Sequence, residues 1–354
     1  MKKSRTIIDD VFAEFIRHFD GEKKVDYQSE NISKLFSNIS SNFILETELG
    51  SPAPIFDFSL CILKSEIIYL LKHWRKQKLA PIFHRDKNWE KLYKFCSKWE
   101  EQGSIINEKI SDIWFEFDNY QINKELPGAC FFFSPRNIHK RNIGDVKNMN
   151  MDWLFDSALS MLINEYLSEK IKMKVKKCID ALPENGALFQ VGVMLARGFN
   201  NSNDRNFIRL CTCMKIDDYM IYLNSIGWNG PIEYLVNNLN IIKKYTDAVF
   251  IDIDVGEKIS PHIGLECCYR QDIDTNERSN KFLNHLINKG LCLKEKSAII
   301  AKWIESPTGI TDNIENERIF KKSLSHLKIV LNPDKTLNAK AYLSLSNTFT
   351  QAIF

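Results

Sequence analysis

The sequence has no Cys-x-x-Cys pair, no apolar run long enough to cross a bilayer and no marked excess of charge. It also lacks the short motifs that announce several common catalytic sites. Each absence removes a class. The nine cysteines, Cys61, Cys96, Cys130, Cys178, Cys211, Cys213, Cys267, Cys268 and Cys292, are odd in number and show no paired spacing. They read as small buried hydrophobes in a reducing compartment, because a zinc site needs four convergent ligands and none cluster here. A net charge of +3, with 48 basic and 45 acidic residues mixed along the chain, leaves no electrostatic footprint for nucleic acid. Without a membrane-length apolar segment, bilayer insertion is not expected. Asp9 and Asp10 interrupt the first apolar stretch, so the expectation is a cytoplasmic protein rather than a secreted one. No Gly-rich phosphate loop, G-x-S-x-G elbow or H-E-x-x-H helix is present, which sets aside P-loop, serine-hydrolase and zincin chemistry.

What is there is alternation. The 354 residues are 44% hydrophobic and 26% charged, ordinary globular values, with no shift in composition to mark a boundary, so one domain over 1–354 is expected. Period-two patterns occur in pairs around turns: Asn42 to Leu49 with Ile55 to Leu63, Asp112 to Asp118 with Ala129 to Ser134, and Ala187 to Ala196 with Asn206 to Met214. Ala248 to Val255 pairs with His262 to Arg270, and Ser325 to Leu331 with Leu337 to Ser346. Phe115, Phe189, Ile251, Leu265 and Ala341 lie on the apolar faces of these strands, each face alternating with a polar one. Helical patterns separate the hairpins, at Ser65 to Gln77, Asn88 to Gln102, Met151 to Ala181, Ile216 to Ile226, Pro231 to Thr246, Arg278 to Gly290 and Lys294 to Glu305. Asn137 to Asn150 and Ser306 to Glu317 read as surface loops. Ten strands in an open sheet would leave two bare edges, and closure removes them. The predicted fold is therefore α/β: a closed antiparallel ten-stranded β-barrel surrounded by helices. Its apolar face lies under the helices and its polar face lines a lumen wide enough for a ligand.

The αββα repeat, covering roughly Asn42 to Ser346, resembles the ABBA-type (PT-barrel) prenyltransferases of aromatic or peptide substrates. Local support comes from Lys340-Ala341-Tyr342 in the last strand, Arg209 in Arg-Leu-Cys, and His326-Leu327-Lys328. The resemblance implies that Arg209, Lys328 and Lys340 would hold a prenyl diphosphate co-substrate and Tyr342 would shield the carbocation. A carboxylate among Glu46, Glu48 and Glu116 would orient or deprotonate the acceptor. Trp114 and His262 join the expected substrate-binding set, and Glu46, Glu116, Glu266 and His326 the catalytic one. Glu266 gains from Gly264, which allows close approach of a ligand. His262 and His326, at strand starts on polar faces, suit proton transfer near neutral pH.

The expected lumen nevertheless holds more acids (Glu46, Glu48, Asp57, Glu116, Asp118, Asp252, Asp254, Glu266) than bases (Arg209, Arg270, Lys328, Lys340). A diphosphate there would need Mg²⁺ to bridge it to carboxylates, and Asp252 with Asp254, about 7 Å apart by strand rise, are the metal candidates. Arginine is rarely buried without an anion, so Arg209 points either to a ligand or to Asp252 or Glu266 across the lumen. Prenyl transfer to an aromatic or peptide side chain is the first reading. An acid-rich lumen also suits another peptide-tailoring reaction, such as thioether (lanthionine) ring formation, or a non-catalytic barrel that presents a peptide to partner enzymes of a biosynthetic pathway.

Overall fold

The structure, a computed structural model, describes residues 6–20, 29–36, 42–53, 56–122, 124–136, 151–163, 167–197, 208–270, 274–305, 310–312, 316–318 and 320–347. The strands, in chain order, are β1 (Phe43–Glu48), β2 (Phe56–Leu63), β3 (Ile110–Phe117), β4 (Cys130–Pro135), β5 (Ala187–Val193) and β6 (Ile208–Cys213). Then come β7 (Ala248–Val255), β8 (Ile259–Cys268), β9 (Ile310–Asp312), β10 (Asn316–Arg318), β11 (Phe320–Leu331) and β12 (Leu337–Asn347). All except β9 and β10 form one antiparallel barrel, in the cyclic order β1-β12-β11-β8-β7-β6-β5-β4-β3-β2. Pairing of β1 with both β2 and β12 closes it, so the expected ten-stranded closed barrel is what the chain forms.

The outer face is dry because aromatic side chains from strands and helices interlock there. Phe115 of β3 lies 5.0 Å from Phe36 and 6.1 Å from Trp89, and Trp89 stacks on Phe83 at 5.0 Å. Four buried indole N–H groups find carbonyls: Trp74 donates to Leu35 at 2.8 Å, Trp89 to Pro127 at 2.8 Å, Trp99 to Ile110 at 3.2 Å and Trp228 to Ser260 at 2.9 Å. The helix Lys87–Glu100 that carries Trp89 starts at an N-cap, Asp86, whose carboxylate accepts from the Asn88 and Trp89 amides. The helix Tyr219–Ile226 ends at Gly227, whose φ of +78° only glycine adopts without strain. Trp89 is 1% exposed, so Trp89→Ala should cost about 3–5 kcal/mol in urea unfolding, as expected for a collapsed aromatic cavity.

Several expectations need correction. The Met151 to Ala181 helix is not continuous: a wide π-type turn, Trp153–Leu159, leads into Ser160–Ile163, and a separate helix, Glu169–Asp180, follows. Part of Ser306 to Glu317 is not loop, since β9 and β10 pair there as a small hairpin. Strand β11 begins at Phe320 rather than Ser325, with a bulge between Leu324 and His326. A second bulge, between Leu188 and Gln190, turns Phe189 away from the helices, and its ring sits 4.8 Å from Phe250. Two N-terminal helices, Ile7–Asp20 and Ser29–Phe36, close one side of the core, and the repeat pattern did not reveal them. The stretch Asn137 to Asn150 lies outside the described residues.

Candidate functional site in the barrel lumen

Residues directly opposite on paired strands share a face, so the registers define the lumen wall. Lys340 opposes Lys328, Lys328 opposes Glu266, and Glu266 opposes Phe250; Asp252 opposes Gly264 and Cys211, and Arg209 opposes Asp254. Tyr342 opposes Glu46 and His326, and Glu46 opposes Asp57. Glu116 opposes Ser59 and Cys130, while Trp114 opposes Phe132 and Phe132 opposes Gly192. The strands thus turn Glu46, Glu116, Glu266, Arg209, Lys328, Lys340, Tyr342, Asp252 and Trp114 to the interior of the barrel. His262 is not among the enclosed groups: it is exposed at the rim, where its Nδ1 meets Asn332 Oδ1 at 2.9 Å. Arg270 lies beyond the end of β8 with an exposed side chain, so it adds no charge to the lumen; Glu48 is exposed as well.

Each lumen cation is held by carboxylates. Lys328 is 6% exposed, bonds Asp252 and lies 3.5 Å from Glu266. Lys340 bonds Glu46 on the adjoining strand. Arg209 makes a two-pronged contact with Asp254, at 2.7 and 2.9 Å, so its anion is Asp254 rather than Asp252 or Glu266. A fourth cation was not expected from the sequence: Arg197, from the turn after β5, reaches Glu116 at 2.5 Å and Asp118 at 2.6 Å. Alternation could not have found Arg197, since it follows the end of the strand. Glu116 is thus an arginine-bound carboxylate.

These contacts set the protonation states. Burial pushes the Glu266 carboxyl up, ionised Asp252 pushes it further, and it reaches about 8 despite Lys328. Burial, then Glu46, raises Asp57 to about 7. Burial alone would also raise Glu46, but Lys340 and Lys328 outweigh it and hold Glu46 at about 2. Asp252 is likewise drawn below the usual carboxylate range, Lys328 and Arg209 outweighing burial. Burial, with Lys328 nearby, lowers His326 to about 3, so its imidazole is neutral at physiological pH. That ring stacks on Tyr342 at 4.1 Å, and its Nε2 lies 3.8 Å from Glu266.

Opposite the Lys328 strand, five places away around the barrel, β4 presents an apolar surface. Phe132, Cys130 and Met194 form a cluster there, with Trp114 and Ala196 packed against it. Gly192 lets Phe132 lie flat, because a Cβ at that position would come 2.4 Å from the Phe132 ring. The lumen thus has a charged, hydrogen-bonding wall facing an aromatic one.

Asp252 and Asp254 do not fit a magnesium cradle. Asp252 is bound to Lys328 and Asp254 to Arg209, and among the described residues no group of three His, Cys, Asp or Glu side chains could hold a metal ion.

No family model matches the chain, and no curated protein matches it. Solved structures do. The prenyltransferase PriB in its apo form aligns over 97% of this chain and 96% of its own, at 11% identity and a TM-score of 0.50. AnaPT from Neosartorya fischeri aligns over 97% and 94%, at 10% identity and a TM-score of 0.50. The 5-dimethylallyl tryptophan synthase of Streptomyces coelicolor, solved with DMASPP and Trp, aligns over 99% and 98%, at 11% identity and 0.50. The fold is that of the ABBA-type prenyltransferases. The likeness runs nearly end to end in all three. No helix among the described residues is long and apolar enough to cross a membrane.

Proposed function

We propose that this ABBA barrel transfers a prenyl group from an allylic diphosphate to an acceptor held against the aromatic wall. The observation that carries the reading is the inward pair Lys328 and Lys340, directly opposite on neighbouring strands. Like charges in that position repel, and a sheet that keeps two inward lysines in register has a use for them together. The Tyr342 ring lies 5.6 Å from Lys328 Nζ, so an aromatic face adjoins the cations, as an allylic carbocation requires. In the proposed reaction the allylic C–O bond breaks, its electron pair leaves on the diphosphate beside the lysines, and the acceptor atom bonds the allylic carbon. A lumen carboxylate takes the displaced proton. The donor must draw Lys340 away from Glu46, which makes that lysine the informative one. Lys340→Met should weaken donor binding about tenfold to a hundredfold, the worth of one charge-assisted contact.

The test is a thermal-shift series with dimethylallyl and longer prenyl diphosphates, with and without Mg²⁺. Stabilisation that Lys340→Met removes supports the reading, because a ligand that binds only the folded chain raises its melting temperature. No stabilisation by any donor, alongside modification of a peptide, favours the second reading: acid/base tailoring such as thioether formation. What supports that alternative is Glu266, neutral near pH 7 beside the neutral His326, a proton donor next to an acceptor.

A further inference from the structure

Charge is unevenly spread along the chain. Residues 67–87 hold six lysines and arginines, Lys72, Arg75, Lys76, Lys78, Arg85 and Lys87, against one acid, Asp86. The other 333 residues hold 42 bases and 44 acids, so this short stretch carries the whole positive excess. Its single acid is committed to capping the helix Lys87–Glu100. The helix Ile67–Lys76 contains no acidic residue at all. Surface lysines elsewhere find acids one turn away: Lys34 with Glu30, Lys94 with Glu90 and Lys281 with Glu277. Lys72, Lys76, Lys78, Arg85 and Lys87 are exposed and have no anionic partner among the described residues, while Arg75 comes only within 4.0 Å of Glu100.

The same stretch also exposes apolar side chains. Ile68 is 39% exposed, Tyr69 63% and Ile82 43%, three of the seven large apolar residues that stand out from the described surface. On the helix Ile67–Lys76, Ile67, Leu70, Leu71 and Trp74 face the core. That leaves Tyr69, Lys72 and Lys76 in one outward row, with Ile68 and Arg75 beside it. The helix cannot roll to bury Tyr69, since Trp74 donates to the Leu35 carbonyl and packs edge-on against Phe83 at 5.1 Å. At its end Lys78 takes a left-handed φ of +52°, which costs a residue with a side chain. The amides of Lys78 and Leu79 close that turn on the Arg75 and Trp74 carbonyls, and it leads directly into Ala80–Phe83, which carries Ile82.

We propose that this outer face, from Ile68 to Lys87, docks on an anionic lipid surface. The contact is peripheral and lies in the headgroup layer. There the unpaired lysines and arginines meet lipid phosphates, while Tyr69, Ile68 and Ile82 enter the boundary with the acyl chains, where an amphipathic ring is favoured. A protein or peptide partner suits the face less. A docked helix needs a continuous apolar stripe, and here apolar side chains stand singly among cations. Nucleic acid would use the cations through its phosphates and gain nothing from two exposed isoleucines. The inference concerns the outside of the barrel and does not rest on the transfer reading.

The experiment is flotation of the full chain with vesicles of phosphatidylcholine alone and with about one-third phosphatidylglycerol. The anionic vesicles should bind at least about tenfold more tightly, and that preference should fade as salt rises from about 50 to about 300 mM. Lys72→Glu/Lys76→Glu should weaken the binding at least about tenfold. Lys174→Glu/Lys176→Glu, the same charge change on the helix Glu169–Asp180, should weaken it less than about threefold, because distant charges are screened. The emission added by Tyr69→Trp should shift to the blue on anionic vesicles as the ring leaves water. The comparison of vesicles on the unaltered chain stands even where a variant folds poorly. Equal binding to both vesicles, no binding, equal losses from the two reversals or an unshifted emission would overturn the proposal. Tighter binding to poly-glutamate or duplex DNA than to the anionic vesicles would overturn it too, and would give the face to a protein or a nucleic acid.

Discussion

Replacing Lys328 by methionine should cost about 3–5 kcal/mol of folding stability, the range for removing one partner of a buried ion pair. Methionine keeps most of the lysine stem's volume, so the loss is electrostatic rather than a cavity. Lys328 reaches Asp252 and Glu266 from a position 6% exposed, and both carboxylates remain when it is gone. Asp252 would then be a buried carboxylate without its bonded cation. The substitution should hurt least in mild acid, where the orphaned carboxyls can take protons, and most above neutrality. Urea unfolding of Lys328→Met and of Lys328→Met/Asp252→Asn measures it. The double variant should recover at least half of the loss, because it removes the stranded anion along with its cation. A single-variant loss under about 1 kcal/mol would mean that water already solvates the trio, and that the lumen is wetter than the burial implies.

That same trio shows what could be read from the residues alone and what could not. Alternation along β3, β7, β8 and β12 put Glu116, Asp252, Glu266 and Lys340 on polar faces, and closure placed those faces inside. A period of two is a local property, so it survives without knowing which strands pair. Partnership is not local. Arg209 lies on β6 next to β7, and register alone selects Asp254 over Asp252, a choice two residues of slip would reverse. Arg197 escaped because it sits in a turn, where no period operates. Alternation puts Phe189 on the outer face because a bulge leaves no mark in an apolar run. His262 satisfied the period but lies beside the β7–β8 turn, where a polar face reaches solvent. The acid surplus was legible as a count; its division between opposite walls required the cyclic strand order.

The pH dependence of stability is the second large effect, and its sign follows from four groups. Asp57 goes from an ordinary carboxyl to about 7 on folding, and Glu266 to about 8. A raised carboxyl binds its proton more tightly in the folded chain, so its contribution is full below the unfolded value and is lost as pH climbs through the folded one. Both therefore erode stability between about pH 4 and pH 8. His326, lowered to about 3, works the other way: its contribution is present above the ordinary imidazole value and lost as pH falls towards 3. Glu46, held at about 2, adds stability that is full above the ordinary carboxyl value and is lost as pH falls from there towards 2. Where the windows overlap, two eroding groups oppose one, and above the ordinary imidazole range nothing opposes them. Stability should therefore peak in mild acid, near about pH 5, and fall by roughly 2–4 kcal/mol towards pH 8.5. A tenfold change in proton affinity is worth about 1.4 kcal/mol, and relaxation of the lumen around the new charges recovers part of it. Glu266→Gln isolates the larger share. Glutamine has nearly the shape of the protonated acid and cannot ionise, so the variant should match the parent near pH 5 and exceed it above pH 8. Urea midpoints of the two proteins at several pH values decide the matter. Parallel curves would show that Glu266 keeps an ordinary affinity for its proton, and that Lys328 is shared between two full anions.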